Sequence, residues 1–339
     1  MKRIMIISGI VLHILLLCNL TVYSNNWYVY PDNGSDKNKG DIDTSPYLHI
    51  WKAQMSASSG DSILLKSSDY KNEGIRKVSG YGYTFIHFEK SIKLNRFRNS
   101  TSRIMGYYKN DESKAGADLL VNLSIVLIDA PEISIKNIRF DGFNGAYNSE
   151  SKPDSLLPHH ETIRITEKGS EATLDTCEFT NMGRSLKLTD PITDSMAFEA
   201  IICAWVDTSA TIDDIKIFYN DFYNNPFDTF HGHEIYLTHN IGAEIKGNKI
   251  SNNGVGTPIR FSNKCTNILI DSNYVLGAAK DGFIHDWKQP HPGYGFSSDI
   301  KVTNNVFSDS TIYITNVSAD YLWPFISQSD TICPRDAYV

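Results

Sequence analysis

The sequence predicts an all-β fold, a parallel β-solenoid in which short strands stack coil upon coil. Three observations carry this: two interleaved series of strand-like runs, an Asn at one fixed place in the second series, and almost no helical periodicity after residue 60. The first series is Glu161–Thr166, Glu199–Ala204, His233–Thr238, Thr257–Ser262, Asp281–Asp286 and Ser310–Thr315, and its central members lie 24 residues apart. The second is Ile215–Phe222, Ala243–Ile250, Asn267–Val275 and Asp299–Phe307, with earlier relatives at Ile133–Phe140 and Ala172–Phe179. Two or three strands per unit of about 22 to 30 residues make a stacking repeat, whereas a sandwich would alternate hairpin turns. The second series carries Asn-x-apolar at Asn220, Asn248, Asn273 and Asn305, with Cys177 at the equivalent place upstream. Asn tolerates a left-handed backbone at a tight bend and can bond to the coils above and below, so a structural column is expected.

In chain order, residues 1–24 read as a secretory signal: Lys2 and Arg3, the apolar stretch Ile4–Leu20, then Val22-Tyr23-Ser24 before cleavage at Asn25. Leu17 is too bulky to precede a lipidated Cys18, so ordinary cleavage is expected, and with it a secreted, periplasmic or cell-surface location. Residues 25–339 read as a single solenoid domain, with an N-terminal cap over 25–60, coils over 61–316 and a C-terminal cap or extension over 317–339. In the cap, Ser45 as N-cap, Pro46 at the first helical position and Gly60 at the far end predict a helix. Its Leu48, Trp51 and Met55 share a face that would cover the open end of the stack. Gly60–Lys66 then opens the first coil, and Tyr321–Val339 breaks the repeat.

Composition bounds the function. With 339 residues, 41% of them apolar and 12% aromatic, the chain can bury a large core, which excludes disorder and a small disulfide scaffold. Without the signal, 30 basic residues face 39 acidic ones, a balance of −9 that disfavours a nucleic-acid partner. An acidic total still permits an anionic substrate, because a local basic cleft sets the field a ligand meets. After the signal, no segment is apolar enough to span a bilayer, and a monomer is expected. Cys177, Cys203, Cys265 and Cys333 lack zinc-site spacing, and three disulfide connectivities fit them; most are expected to be buried core residues.

The run Trp27-Tyr-Val-Tyr-Pro-Asp-Asn-Gly-Ser-Asp36, with Asn38-Lys-Gly40, Ser45-Pro46, Ala53, Gly60-Asp61-Ser-Ile63 and Asp69-Tyr70, resembles the opening of secreted right-handed parallel β-helix proteins. It is most similar to that of polysaccharide lyases of the pectate lyase and chondroitinase B type, in the pectin lyase-like superfamily. The resemblance covers residues 27–70 as a motif and 120–316 as a repeat pattern. It implies a right-handed parallel β-helix that acts on a polysaccharide, often an acidic one, along an exterior sheet face. Lyases, polygalacturonase-like hydrolases, epimerases, tailspikes and adhesins share this architecture, so chemistry must come from the site.

Strand alternation places Ile235, Leu237, Ile259, Phe261 and Phe283 inside, leaving an outward row of Arg164, Ile202, Tyr236, Arg260, Ile284 and Tyr313. Glu234, Thr238, Ser262 and Asp286 flank it. Two arginines and two tyrosines on one exposed stripe suit a sugar chain bearing carboxylates, since Arg pairs with them bidentately and Tyr stacks on rings. The densest polar stretch, Asp228-Thr-Phe-His-Gly-His-Glu234, is followed by Arg260 and then by Lys280, Asp281, His285, Asp286 and Lys288. Elimination at a uronate needs its carboxylate neutralised and a base for the adjacent proton. Arg260 would neutralise, and His233 or Tyr236 would take the proton. Arg164, Glu234, Lys280, His285, Asp286 and Lys288 would bind substrate.

The resembling lyases commonly use calcium. Asp213-Asp214, Asp228, Asp281 and Asp286 could supply oxygens, yet no dense acidic loop of fixed spacing appears, so calcium is permitted without being indicated. Asp32-Asn-Gly-Ser-Asp36 looks like the start of a calcium loop but lacks the twelfth-position Glu. A polygalacturonase-like hydrolase is the second reading: Gly232-His233-Glu234 and Ile259-Arg260-Phe261 resemble two of that family's four motifs, and no Asn-Thr-Asp occurs. A glycan-binding β-helix without turnover is the third.

Overall fold

The computed structural model describes residues 24–71, 74, 76–105, 122–142, 159–181, 197–203, 210–225, 232–251, 258–262, 264–276, 284–287 and 297–308, and all structural statements refer to these. Their strands form three sheets of eleven, eight and eight strands. Sheets A and B run almost entirely in sequence order. A strand of sheet A such as Lys216–Phe218 leads through two residues to one of sheet B, Asp221–Tyr223, and then to one of sheet C, Gly232–Thr238. In sheet C we label the strands β1 (Arg76–Val78), β2 (Gly82–Phe88), β3 (Asn122–Ile128), β4 (His159–Ile165), β5 (Ala197–Cys203), β6 (Gly232–Thr238), β7 (Ile259–Ser262) and β8 (Ile284–Trp287). Pairing throughout is parallel except for β1, which closes the edge of sheet C antiparallel to β2. This is a parallel β-helix, as the repeats predict.

Parallel, in-register stacking places like residues over like, and the core is built of columns. Ile135, Leu174, Ile217, Ile245 and Ile270 form one in sheet A, and Ile163, Ile201, Ile235 and Ile259 form another in sheet C, all without solvent exposure. In sheet B the column is Phe140, Phe179, Phe222, Ile250 and Val275. Its rings stack face to face, with centroids 5.2 and 4.7 Å apart. Each such side chain contributes about 1.5–3 kcal/mol by leaving water.

The Asn column is present and is continuous. Asn220 Nδ2 donates to Asn248 Oδ1 at 3.0 Å, Asn248 Nδ2 to Asn273 Oδ1 at 2.9 Å, and Asn273 Nδ2 to Asn305 Oδ1 at 2.8 Å. Each Oδ1 also accepts the backbone N–H of the preceding member, and each Nδ2 also donates to a carbonyl of an earlier coil. Cys177 closes the series: its N–H donates to Asn220 Oδ1, and its Sγ lies 3.6 Å from the Ile135 carbonyl. The expected left-handed backbone belongs to a different residue. Positive φ falls on the preceding position, at Thr176, Tyr219, Gly247, Ser272 and Asn304, so the Asn is needed for its amide alone.

Two further corrections concern the N-terminal end. Helix α1 spans Ile50–Ser56 and does not begin at Pro46. Tyr47 N–H is already taken by the Tyr28 carbonyl and its carbonyl by Tyr30 N–H, which holds residue 47 beside the first strand. Asp36 accepts from Leu48 N, His49 N and the His49 ring, so this acid of the calcium-like run organises the approach to the helix. The buried face is Ile50, Ala53 and Gln54, whereas Met55 is 63% exposed. The coil stack also starts earlier than Gly60, because Asn26–Val29 already pairs with Ser62–Leu65. Cys177 and Cys203 are buried free thiols, and burial pushes Cys177 up to about 12; Cys265 is buried with Sγ against the Leu237 carbonyl. Cys333, Tyr313 and the signal lie outside the described residues.

Candidate functional site

On sheet C the pairing fixes one row of residues across six consecutive strands: Leu127 (β3), Arg164 (β4), Ile202 (β5), Tyr236 (β6), Arg260 (β7) and His285 (β8). The row differs from the expected one at Ile284, whose place is taken by His285. Ile284 pairs with Ile259, one residue off the 24-residue period, because this step takes 25 residues and Ile284 stays in register with the inner Ile column. Asp286 accordingly stands opposite Phe261, in the inner register. Lys280 and Lys288 lie outside the described residues.

A second row runs through Thr84, Ser124, Glu161, Glu199 and His233. Strict alternation would turn it away from the first, since the two are three residues apart on each strand. Instead Glu161 bonds Arg164, and the His233 ring lies 5.5 Å from the Tyr236 ring. The alternation therefore slips between the rows, as at a bulge, and both rows share a face. Glu234 is displaced by the same slip: it is fully buried, and its Oε2 accepts from Asn225, which also donates to the Phe179 carbonyl. It does not flank an exposed stripe.

Neither is the stripe exposed. Arg164, Tyr236 and Arg260 retain only 4%, 9% and 8% of their surface, and His233 1%. Within this buried face the structure brings three of the expected residues together. Arg260 Nη1 lies 2.8 Å from His233 Nε2, and the Arg260 guanidinium sits over the Tyr236 ring at 5.3 Å. Since a guanidinium can only donate, His233 Nε2 is the acceptor, and the imidazole is neutral with its proton on Nδ1. A neutral imidazole with an in-plane lone pair beside a cation and a phenol can take a proton next to an anionic group.

Arg164 is set apart. It lies three strand intervals from Arg260, about 14 Å, and its Nη2 is committed to Glu161 while Nη1 donates to the Tyr81 carbonyl at 3.3 Å. Glu161 and the register position of Glu199 were missed as site positions by strand alternation. The signal that would have found them is the shared i, i+3 spacing of Glu161/Arg164 and His233/Tyr236. Among the described residues no group of three or more His, Cys, Asp or Glu could share a metal ion.

Burial holds the Glu234 carboxyl well above the usual carboxylate range, partly offset by Asn225. The folded state therefore keeps a proton that the unfolded chain releases above about pH 4.3, so stability falls as pH rises past that value. Glu234→Gln, which keeps the shape without the ionisation, is expected to raise the melting temperature at pH 8 and to flatten its decline between pH 5 and 8. An unchanged pH slope in scanning calorimetry would remove Glu234 as its source.

No family model matches the chain, and no curated protein matches it. Similar solved structures include a rhamnogalacturonan lyase, with a TM-score of 0.46 and 12% identity over 87% of this chain and 68% of that one. A GH136 lacto-N-biosidase from Eubacterium ramulus has a TM-score of 0.43 and 10% identity over 92% and 68%. The pectin methylesterase PemA from Erwinia chrysanthemi has a TM-score of 0.30 and 13% identity over 87% and 79%. Likenesses this distant leave substrate and chemistry to the residues themselves.

Proposed function

We propose that the chain acts on a polysaccharide containing uronic acid and cleaves it by β-elimination, with His233, Tyr236 and Arg260 as the reacting group. The observation that supports this most is the 2.8 Å contact between Arg260 Nη1 and His233 Nε2 above the Tyr236 ring. In this reading a uronate carboxylate draws the guanidinium from the imidazole, because a charge-assisted pair outweighs a bond to a neutral acceptor. Two things follow from one displacement: the carboxylate is neutralised, which acidifies the neighbouring C–H, and Nε2 is uncovered to remove that proton. The C–H electron pair forms the C=C bond, the C–O bond at the β carbon breaks, and the leaving oxygen takes the Tyr236 phenolic proton. His285, next in the row, remains a substrate-binding proposal on register alone, whereas the inner register of Asp286 argues against that role.

The register also puts Glu161 and Glu199 at paired positions on adjacent strands, and a retaining glycoside hydrolase needs two carboxyl groups flanking the scissile bond. One experiment separates the readings. Mature protein is incubated with uronic-acid polysaccharides, with calcium or with chelator, while absorbance near 235 nm and new reducing ends are followed together. Both signals rising is the expected result. Reducing ends without absorbance would sink elimination and favour the carboxylate pair, and silence in both with glycan binding retained would favour a binding module.

A further inference from the structure

The first two coils depart from the rest of the solenoid at one corner. Every other described connection from sheet A to sheet B takes two residues, but the one between Lys93–Arg96 and Ser102–Met105 takes five, and Phe97 and Arg98 open it. Register stacks Val29, Leu65 and Arg96, so the residues that follow them, Tyr30, Lys66 and Phe97, lie one above another. Backbone bonds agree: Lys66 N donates to the Val29 carbonyl and Phe97 N to the Leu65 carbonyl. The column is ring, cation, ring, with Lys66 Nζ 5.3 Å from the Tyr30 centroid and 5.8 Å from that of Phe97. The Arg98 guanidinium lies over Phe97 at 4.6 Å, and Tyr28 meets Phe97 edge-on at 5.3 Å. All three rings are partly exposed, and unlike Trp27 none packs against the apolar core. The Arg98 side chain is 77% exposed, and the acid that touches the group is Asp43, whose carboxylate stands 4.0 Å from Arg98 Nη2 while its carbonyl accepts from Lys66 Nζ.

Charge is distributed to match. Residues 25–105 carry twelve Lys and Arg against eight Asp and Glu, a balance of +4, whereas residues 106–339 carry eighteen against thirty-one, a balance of −13. Lys93 and Arg96, both exposed on the strand that leads into the corner, extend its positive surface. We propose that Tyr28, Tyr30, Lys66, Arg96, Phe97 and Arg98 form a docking surface for an acidic polysaccharide, apart from the reacting group on sheet C. It rests on the reading above only in taking the polymer to bear uronate. The C–H faces of a sugar pack on aromatic rings, and carboxylates pair with guanidinium and ammonium groups; this corner offers both side by side. An acidic polymer is repelled by most of the chain and is steered to the end that attracts it. Held there, the polymer stays at a raised effective concentration along the solenoid.

The test is affinity electrophoresis in native gels cast with graded polygalacturonate or with a neutral galactan, each mobility taken relative to a polymer-free gel. Wild type and His233→Ala are both run, so binding is read with and without turnover. Polygalacturonate is expected to retard the protein and the galactan to leave it nearly unretarded. Arg98→Glu is expected to raise the dissociation constant for polygalacturonate at least about tenfold, the effect of one favourable charge contact turned unfavourable, and Phe97→Ser at least about threefold by removing the ring. Arg98 is exposed and outside the core, so that variant decides the matter even if Phe97→Ser fails to fold. Retardation that Arg98→Glu leaves within twofold of wild type, equal retardation by the galactan, or none by polygalacturonate overturns the docking surface. Tighter binding to phosphatidylserine vesicles than to polygalacturonate overturns it too, in favour of a lipid surface. Absorbance at 235 nm on wild-type protein keeps the two ideas separate. Retardation sensitive to Arg98→Glu without elimination removes the lyase and leaves the docking surface, and elimination with retardation insensitive to Arg98→Glu does the reverse.

Discussion

Arg260→Ala is expected to lower kcat/KM on a uronic-acid polymer by about a thousandfold or more, the scale at which removal of one charge-stabilising donor is felt in a preorganised site. The guanidinium has two duties in the proposed reaction, and the substitution ends both. It would neutralise the substrate carboxylate, and its departure from His233 Nε2 exposes the base, so the variant has a base that is always uncovered beside a proton that is no longer acidic. His233→Ala removes the base and is expected to cost about 10²- to 10⁴-fold, chiefly in kcat. Because both act in one step, the double variant should be scarcely slower than the worse single one. Arg260→Lys keeps the charge without the planar fork and should fall between wild type and alanine. Initial rates at 235 nm on variants with native circular dichroism check all four; an Arg260→Ala rate within threefold of wild type would dismiss the assignment.

Asn248→Ala should be as damaging as any single truncation of the Asn column. Its Oδ1 accepts from Asn220 N at 2.9 Å and from Asn220 Nδ2 at 3.0 Å, and its Nδ2 donates to the Ile217 carbonyl and to Asn273 Oδ1. Asn220, Asn248 and Asn273 are each only 1% exposed, so water does not replace what is lost. Two donors and a carbonyl are stranded at about 1–3 kcal/mol each, for a loss of about 4 kcal/mol after partial relaxation. Single domains are stable by about 5–15 kcal/mol, so the loss is a large fraction of the total. In urea the midpoint should drop steeply with an unchanged slope. A midpoint within the scatter of the wild type would mean that the column is ornamental.

The repeats made the architecture legible because a solenoid writes its geometry into the chain as a period, and the inner apolar columns and the Asn positions recur wherever that geometry recurs. What the period hides is local. The step from β7 to β8 takes 25 residues, and the regular spacing could not show which residue then faces Arg260; the apolar column decided it by placing Ile284 over Ile259. Alternation correctly put Tyr236 and Arg260 in one row but hid Glu161 and misplaced Glu234, because one slip in the pleat near the start of these strands reverses the faces. The helix start was misjudged at Ser45-Pro46 since a cap signal is local, while the competing claim on Tyr47 comes from a strand some twenty residues earlier. Charge pairing was beyond reach as well: nothing in the sequence says that Arg164 is bonded to the Glu161 carboxylate three residues before it.

The connection from sheet A to sheet B takes five residues at 97–101 and from the next coil onward keeps to two. The shorter length holds at 137–138, 176–177, 219–220, 247–248, 272–273 and 304–305. The connection from sheet B to sheet C behaves oppositely, with seventeen residues at 142–158, sixteen at 181–196, eight at 224–231 and seven at 252–258. Each of these enters sheet C at the strand end where Glu161, Glu199 and His233 stand. The longest of these connections thus lead into the entrance of the candidate site, while the amide column keeps the coils from Asn220 to Asn305 in step. Such a chain can drift in what it recognises without renegotiating how it folds, and grafts intended to change its ligand belong at those entrances.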